Sequence, residues 1–280
     1  MALLTVLSWN VYHGRDRPPN DALRTWRSLL LRRPEHDDTH VHINRPLRDE
    51  FAGLIASSRW DVCLLQEAPP AWEAALAAAA GASSYVVLTS RNWARRVRRR
   101  LADWNPDLMG SWEGGANITL VREPWRVGPS RSLLLNRFPA RRLRERRQMS
   151  FTRLHAAGGD VCVANLHLSA GSRAHAEREV LAAAQAAVGW AGSTPLVLGG
   201  DFNLRPHSST VFAELERRFR LVGPTGARSL DHLLSRGLEV VRPAAAWPAA
   251  ARELEAPVGL ELRRLRLSDH APVEAAFGLR

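Results

Sequence analysis

Along the chain, short continuous apolar runs alternate with segments in which apolar positions return every three or four residues. The runs are the signal for buried strands, and the spaced segments are the signal for helices with one face inward. Strands are expected at 3–9, 62–66, 85–89, 117–121, 149–154, 161–167, 196–199, 230–234 and 271–276. Helices are expected at 49–58 (DEFAGLIASS), where Phe51, Leu54 and Ile55 share a face, and at 173–190, where Val180, Ala184, Ala187 and Val188 do so. Pro69-Pro70 suits the opening of an alanine-rich helix that runs to Ala80, because a proline in the first turn gives up no helical hydrogen bond.

Alternation of strand and helix argues for an α/β protein, but not for a purely parallel sheet. The runs at 149–154 and 161–167 are separated only by "HAAGGD", a connection short enough for an antiparallel hairpin. The pattern therefore predicts a layered α/β fold with mixed sheets. No short-period repeat and no linker-like stretch divides the 280 residues, so one domain over 1–280 is expected, with an insertion at 15–44. That insertion contains "EHDDTHVH", whose two Asp and three His could bind a transition metal; a polar surface loop is the plainer expectation.

Composition changes this picture little, and charge changes it more. With 45% hydrophobic and 24% charged residues the chain is globular in character, and no apolar run is long enough to span a bilayer. The first ten residues read as a strand without the basic start and cleavage site of a signal peptide, so a cytoplasmic location is expected. Cys63 and Cys162 fall inside strands and read as buried thiols rather than as a disulfide or metal ligands. The net charge of +11 calls for a polyanionic partner, and it is concentrated in "RNWARRVRRR" from Arg91 and "RFPARRLRERR" from Arg137. Both runs also suit solvated helix faces. Trp93, Trp104 and Trp112, close to the first run, could stack nucleic-acid bases, but core or helix-packing positions are the usual place for tryptophan.

Candidate chemistry sits at the ends of the predicted strands. Asn10 ends "LTVLSWN", Gln66-Glu67 ends "DVCLLQE", Asn165 and His167 lie in "VCVANLHL", and Asp201 and Asn203 follow "LVLGG". Asp231-His232 lies in "SLDHLLS", and Asp269-His270 precedes "APVEAAF". Each alone could be a turn or a cap, yet six with the same placement suggest one pocket, in which unpaired carboxylates would repel unless a cation neutralised them. Oxygen donors without thiolates favour a hard ion, Mg2+ or Mn2+, able to polarise a phosphoryl oxygen and orient water.

In order, "SWNVYHG", "DVCLLQE", "ANLHL", "GGDFN", "LDHLL" and "SDHAPV" resemble the motifs of the endonuclease/exonuclease/phosphatase superfamily, which includes deoxyribonucleases, exonuclease III-like enzymes, sphingomyelinases and inositol 5-phosphatases. The resemblance spans nearly the whole chain. It implies a four-layer α/β sandwich of two face-to-face mixed β-sheets flanked by helices. It also implies a metal-binding carboxylate at Glu67, with Asn10 and Asp269 beside it, and a catalytic His270 oriented by Asp231. Asp201 and Asn203 would hold the nucleophilic water and contact the phosphate, His167 would be a second active-site histidine, and His232 would be structural. Arg147 and Asn117 stand near strand starts where some relatives contact substrate, although a turn cap is the plainer expectation for Asn117.

The resemblance therefore implies a metal-dependent phosphodiesterase, a nuclease acting on nucleic acid as a monomer. A phosphomonoesterase or lipid phosphodiesterase would use the same residues, and a catalytically silent binding module is a further alternative. His167 stands where exonuclease III-like enzymes carry Tyr, and "DFNLRP" departs from the 5-phosphatase motif; both branches are disfavoured.

Overall fold

The computed structural model describes residues 2–89, 94–136 and 146–279. In chain order the strands are Ala2–Asn10 (β1), Glu35–His36 (β2), Val41–His42 (β3), Val62–Ala68 (β4), Ser83–Leu88 (β5), Ala116–Val121 (β6), Arg126–Leu134 (β7) and Gln148–Ala156 (β8). They continue with Gly159–His167 (β9), Leu196–Asp201 (β10), Asp231–Arg236 (β11), Glu239–Ala246 (β12), Glu253–Val258 (β13), Glu261–Arg266 (β14) and Val273–Leu279 (β15). The α-helices are Trp26–Leu31 (α1), Arg48–Ser57 (α2), Glu73–Ala80 (α3), Arg95–Trp104 (α4), Pro106–Glu113 (α5), Arg173–Ala191 (α6) and Val211–Phe219 (α7).

Two large sheets form, in the orders β12-β15-β1-β4-β6-β5 and β11-β10-β9-β8-β7. Each is mixed. β1 runs parallel to β4 and β9 parallel to β10, while the other neighbours are antiparallel, including the β8–β9 hairpin closed at Ala156 and Gly159. Small β2–β3 and β13–β14 ribbons lie beside them.

Strand alternation builds the layers. Leu4, Val6, Val62 and Leu64 of the first sheet meet Val161, Val163 and Val197 of the second in a core between the sheets. The intervening residues Leu7, Trp9, Cys63 and Leu65 point the other way, toward Phe51, Ile55, Trp72 and Leu76 on the helical side. Cys162, Ala164, Leu196 and Leu198 do the same on the far side, against Val180, Ala184 and Ala187 of α6 and Leu215 of α7. The result is helices, sheet, sheet, helices: the expected four-layer sandwich. Because the central strands are buried on both faces they read as unbroken apolar runs, and each fully buried Leu or Phe contributes about 1.5–3 kcal/mol relative to exposure. Ser172 precedes α6, and its side chain caps the first turn by accepting from His175 N.

Both cysteines are buried and free. No helix among the described residues is long and apolar enough to cross a membrane. The strands that the hydrophobic pattern did not announce are edges or ribbons. β7 contains Gly128 and Pro129 and slips register between Val127 and Ser130; β12 contains Pro243 and shifts register twice. Edge strands need only one partner, so they tolerate residues that a central strand excludes.

Candidate active site

The site lies at one end of the sandwich because strand direction delivers its residues there. Asn10, Glu67, His167 and Asp201 sit at the C-terminal ends of β1, β4, β9 and β10, and Asp231 opens the antiparallel β11 directly opposite Asp201. Asp269 and His270 stand just before β15, the antiparallel partner of β1. The two glycines of "LVLGGDFN" make this convergence possible. Gly200 has φ +134°, and a Cβ there would fall 2.0 Å from the Leu166 carbonyl oxygen, whereas one on Gly199 would meet Leu64 of the facing sheet at 2.9 Å.

Asp201 is the hub. Its Oδ2 accepts from Asn10 Nδ2 at 3.0 Å, and its Oδ1 accepts from the Asn203 backbone N–H at 2.9 Å. His167 Nε2 and His270 Nε2 stand 3.5 and 3.9 Å from Oδ2. Burial, then the nearby Asp231 charge, raises the Asp201 pKa to about 6. His270 Nδ1 donates to Asp231 Oδ2 at 2.7 Å; a carboxylate only accepts, so this bond fixes the proton on Nδ1. Burial alone would lower the His270 pKa, but Asp231, Asp201 and Asp269 together raise it to about 10. The residue is held from behind as well, since Trp9 Nε1 donates to its carbonyl at 3.0 Å and Ser268 Oγ accepts from its N–H at 3.0 Å.

Glu67 forms the opposite wall. Its Oε2 lies 3.2 Å from His13 Nε2, and its Oε1 lies 3.6 Å from His167 Nε2. Burial and then the charges of Asp201 and Asp269 raise its pKa. His167 is pushed well below the usual histidine range by burial and by the charges of Arg147, His270 and His13, so it is a neutral imidazole. Arg147 Nη1 sits 2.9 and 3.0 Å from the two ring nitrogens of His167.

Crowded carboxylates, of which Glu67 and Asp201 have their pKa raised by burial and by a neighbouring negative charge, joined by an amide and a neutral imidazole, are the donor set that a hard divalent cation relieves, so the residues fit Mg2+ or Mn2+. Asp201, Asp231 and His270 also lie close enough together to hold an ion. The Asp231–His270 hydrogen bond already accounts for that grouping.

Local backbone strain marks the same place. Tyr12, His13, Glu67, Asn203 and Ser268 all have φ between +49° and +60°, a region that costs non-glycine residues roughly 1–3 kcal/mol each. At Glu67 the register against β6 slips between Leu65 and Ala68, so the bulge turns its carboxylate out of the ladder.

Of the residues expected from sequence, Asn10, Glu67, Arg147, His167, Asp201, Asp231 and His270 are brought together, and Asp269 stands exposed at the rim, its Oδ1 4.0 Å from His270 Nε2. Asn203 contributes through its backbone, while its side chain donates to the Leu168 carbonyl at 3.0 Å. Asn117 caps no turn. It is fully buried, donates to the Gln148 carbonyl at 2.7 Å, and belongs with Gln66 and Asn165 to an amide brace between the sheets, in which Gln66 Nε2 donates to Asn165 Oδ1 at 2.8 Å.

His232 is buried against Phe202 and Phe212, hydrogen-bonds the Leu204 carbonyl and has its pKa lowered to about 4 by burial, consistent with a structural place. His13 was missed. The available signal was a histidine three residues beyond Asn10 in "NVYHG".

The "EHDDTHVH" residues do not converge. Asp37 accepts from the backbone N–H groups of Thr39 and His40, and His40 pairs with Glu253 at 3.2 Å. His42 is buried between Asp16 and Asp107 at 2.9 and 2.8 Å. The segment is pinned to the body rather than free as a loop. Arg91, Trp93, Arg144 and most of the second basic run lie outside the described residues. Trp104 and Trp112, read from sequence as core or packing residues, are both exposed.

Two facing mixed sheets with a carboxylate–imidazole site at one end define a phosphoesterase fold. The chain belongs to the endonuclease/exonuclease/phosphatase family, whose sequence profile matches residues 7–270. No curated protein matches the chain. Among solved structures, an endonuclease/exonuclease/phosphatase family protein from Bacteroides thetaiotaomicron is similar at TM-score 0.67 and 14% identity, covering 100% of this chain and 98% of its own. The human nocturnin catalytic domain with bound sulfate is similar at 0.65 and 15%, covering 99% and 95%. A mannosyl-6-phosphatase from B. thetaiotaomicron is similar at 0.64 and 13%, covering 97% and 98%. At these identities the likeness establishes the fold.

Proposed function

We propose that the protein is a divalent-metal-dependent phosphodiesterase, a nuclease, that cleaves a P–O bond by in-line attack of water. The observation that carries this reading is the opposition of Asp201 and His270 across one small space, with Asp231 behind the imidazole. Mg2+ or Mn2+ held by Glu67, with Asn10 and Asp269, would supply polarisation of the phosphoryl oxygen.

The protein's own groups do the rest. Asp201, fixed by Asn10 and the Asn203 N–H, orients the attacking water through its carboxylate. His270 presents a charged Nε2–H toward a phosphoryl oxygen, its other nitrogen held by Asp231. Arg147 adds positive charge beside neutral His167, where negative charge develops on the phosphate. The net charge of +11 favours arrival of a polyanion such as nucleic acid.

The test compares hydrolysis of bis-p-nitrophenyl phosphate with that of the monoester, and of plasmid, single-stranded DNA and RNA, under Mg2+, Mn2+ and EDTA. Metal-dependent diester and nucleic-acid cleavage is expected. Preference for the monoester would replace the diesterase reading with a phosphatase, and silence toward all of them would return the binding module.

A further inference from the structure

The helical pair between β5 and β6 carries an apolar stripe turned away from the protein. On α4, Val97, Leu101 and Trp104 recur at spacings of four and three residues, which puts them on one helix face, and all three are exposed, Val97 to 58% and Trp104 to 55%. Leu108 and Trp112, four apart on α5, are exposed as well, Trp112 to 59%. The side of α4 turned toward the body carries Ala102 instead, which is buried. α1 is anchored at the junction of the two helices, where Asn105 Nδ2 donates to the Leu29 carbonyl at 2.6 Å, and it exposes Trp26 and Leu30. Isolated exposed apolar residues are ordinary; a helical stripe with tryptophans is not.

Charge flanks the stripe. Arg96, Arg99 and Arg100 are exposed on α4, and Asp103, 3.5 Å from Arg99, is the acidic residue of that helix. A helix with arginines on its polar side and Trp and Leu on the other is the pattern of a segment that lies in a membrane interface. We propose that α4 and α5 dock the protein on an anionic lipid bilayer, the Trp and Leu side chains entering the headgroup boundary and the arginines meeting lipid phosphates.

The alternatives fit the same residues less well. Stacking on nucleic-acid bases would use the tryptophans but leave Val97, Leu101 and Leu108, which have no π face, against a polyanion. A second copy of this chain would bring two arginine-rich helices together at like charge. An interface with anionic headgroups accommodates both the aliphatic and the cationic residues, and the indole, apolar with one N–H, suits its depth.

The surface is mounted on the active-site wall. A Cβ on Gly110 of α5 would lie 3.5 Å from His13 Cβ, Arg15 Nη1 donates to the Asp107 carbonyl at 3.3 Å, and His13 itself reaches Glu67. Docking is nevertheless independent of the reaction assigned to that site.

The experiment is flotation of the full chain with vesicles of phosphatidylcholine, with and without phosphatidylserine, at physiological salt. Wild type is expected to float with the anionic vesicles. Trp104→Ser with Trp112→Ser is expected to weaken this at least about 10-fold at an unchanged melting temperature. Should that variant fail to fold, Arg96→Glu with Arg100→Glu is expected to weaken flotation on phosphatidylserine while leaving folding intact. Absence of wild-type flotation, or equal flotation by folded variants, overturns the proposal. Patch-dependent binding to single-stranded DNA without vesicle binding, or a concentration-dependent dimer lost in the variants, would assign the surface to those partners instead.

Discussion

His270 stands between two carboxylates, with Nδ1 2.7 Å from Asp231 Oδ2 and Nε2 3.9 Å from Asp201 Oδ2. One carboxylate fixes the ring and the other shares its working face. Asp231→Asn keeps the shape but offers an amide where the Nδ1 proton was accepted. The expected result is a fall in kcat of about 100- to 10,000-fold with KM little changed, read in steady-state kinetics on the diester at fixed metal. An unchanged kcat would remove Asp231 from the orienting role.

Glu67 is half-buried near Asp201 and Asp269, and its raised pKa means that its charge opposes folding when no cation is present. Glu67→Gln is therefore expected to raise the melting temperature in EDTA by a few degrees and to abolish the further rise that Mn2+ gives the wild type. Calorimetric titration with Mn2+ reads the same loss without any turnover. A variant that binds Mn2+ as wild type does would move the ion away from Glu67.

The buried His42 links strand β3 to Asp16 and to helix α5 through Asp107. Burial would discharge it, but Asp107 and Asp16 raise its pKa from 6.5 to about 9. A pKa raised in the folded state contributes stability that is fully present below 6.5 and is lost as pH rises through about 9. Asp16, raised by burial, offsets part of that gain. His42→Ala leaves two buried carboxylates facing each other, and is expected to cost about 3–5 kcal/mol near neutral pH. Urea denaturation from pH 6 to 10 should show the wild type losing stability across this window and the variant lacking that loss.

Gly200→Ala places a methyl group 2.0 Å from the Leu166 carbonyl at a φ of +134°. Both faults lie in the backbone, so the expected cost is about 3 kcal/mol or more, seen as a lowered denaturation midpoint. Gly171→Ala, with nothing within 4 Å of its Cβ, is the control and should be near neutral. Equal stability of the two variants would show that β10 can move away from β9.

The sequence alone determined the central strands and named most of the residues that the structure gathers at their ends. A strand covered on both faces must be apolar throughout, so β1, β4, β9 and β10 announce themselves, and a polar residue such as Asn10 or Asp201 at the end of such a run stands out against it. Edge strands β7 and β12 carry no such constraint and were silent.

Tertiary structure alone decided contacts between distant segments. That His13 faces Glu67, that Asn117 braces the sheets through Gln148, that His42 is enclosed by Asp16 and Asp107, and that Trp104 and Trp112 face outward all depend on how separate elements meet. Periodicity assigns a residue to a face of its own helix or strand; which neighbour covers that face, or whether any does, is set by packing between elements far apart in the chain.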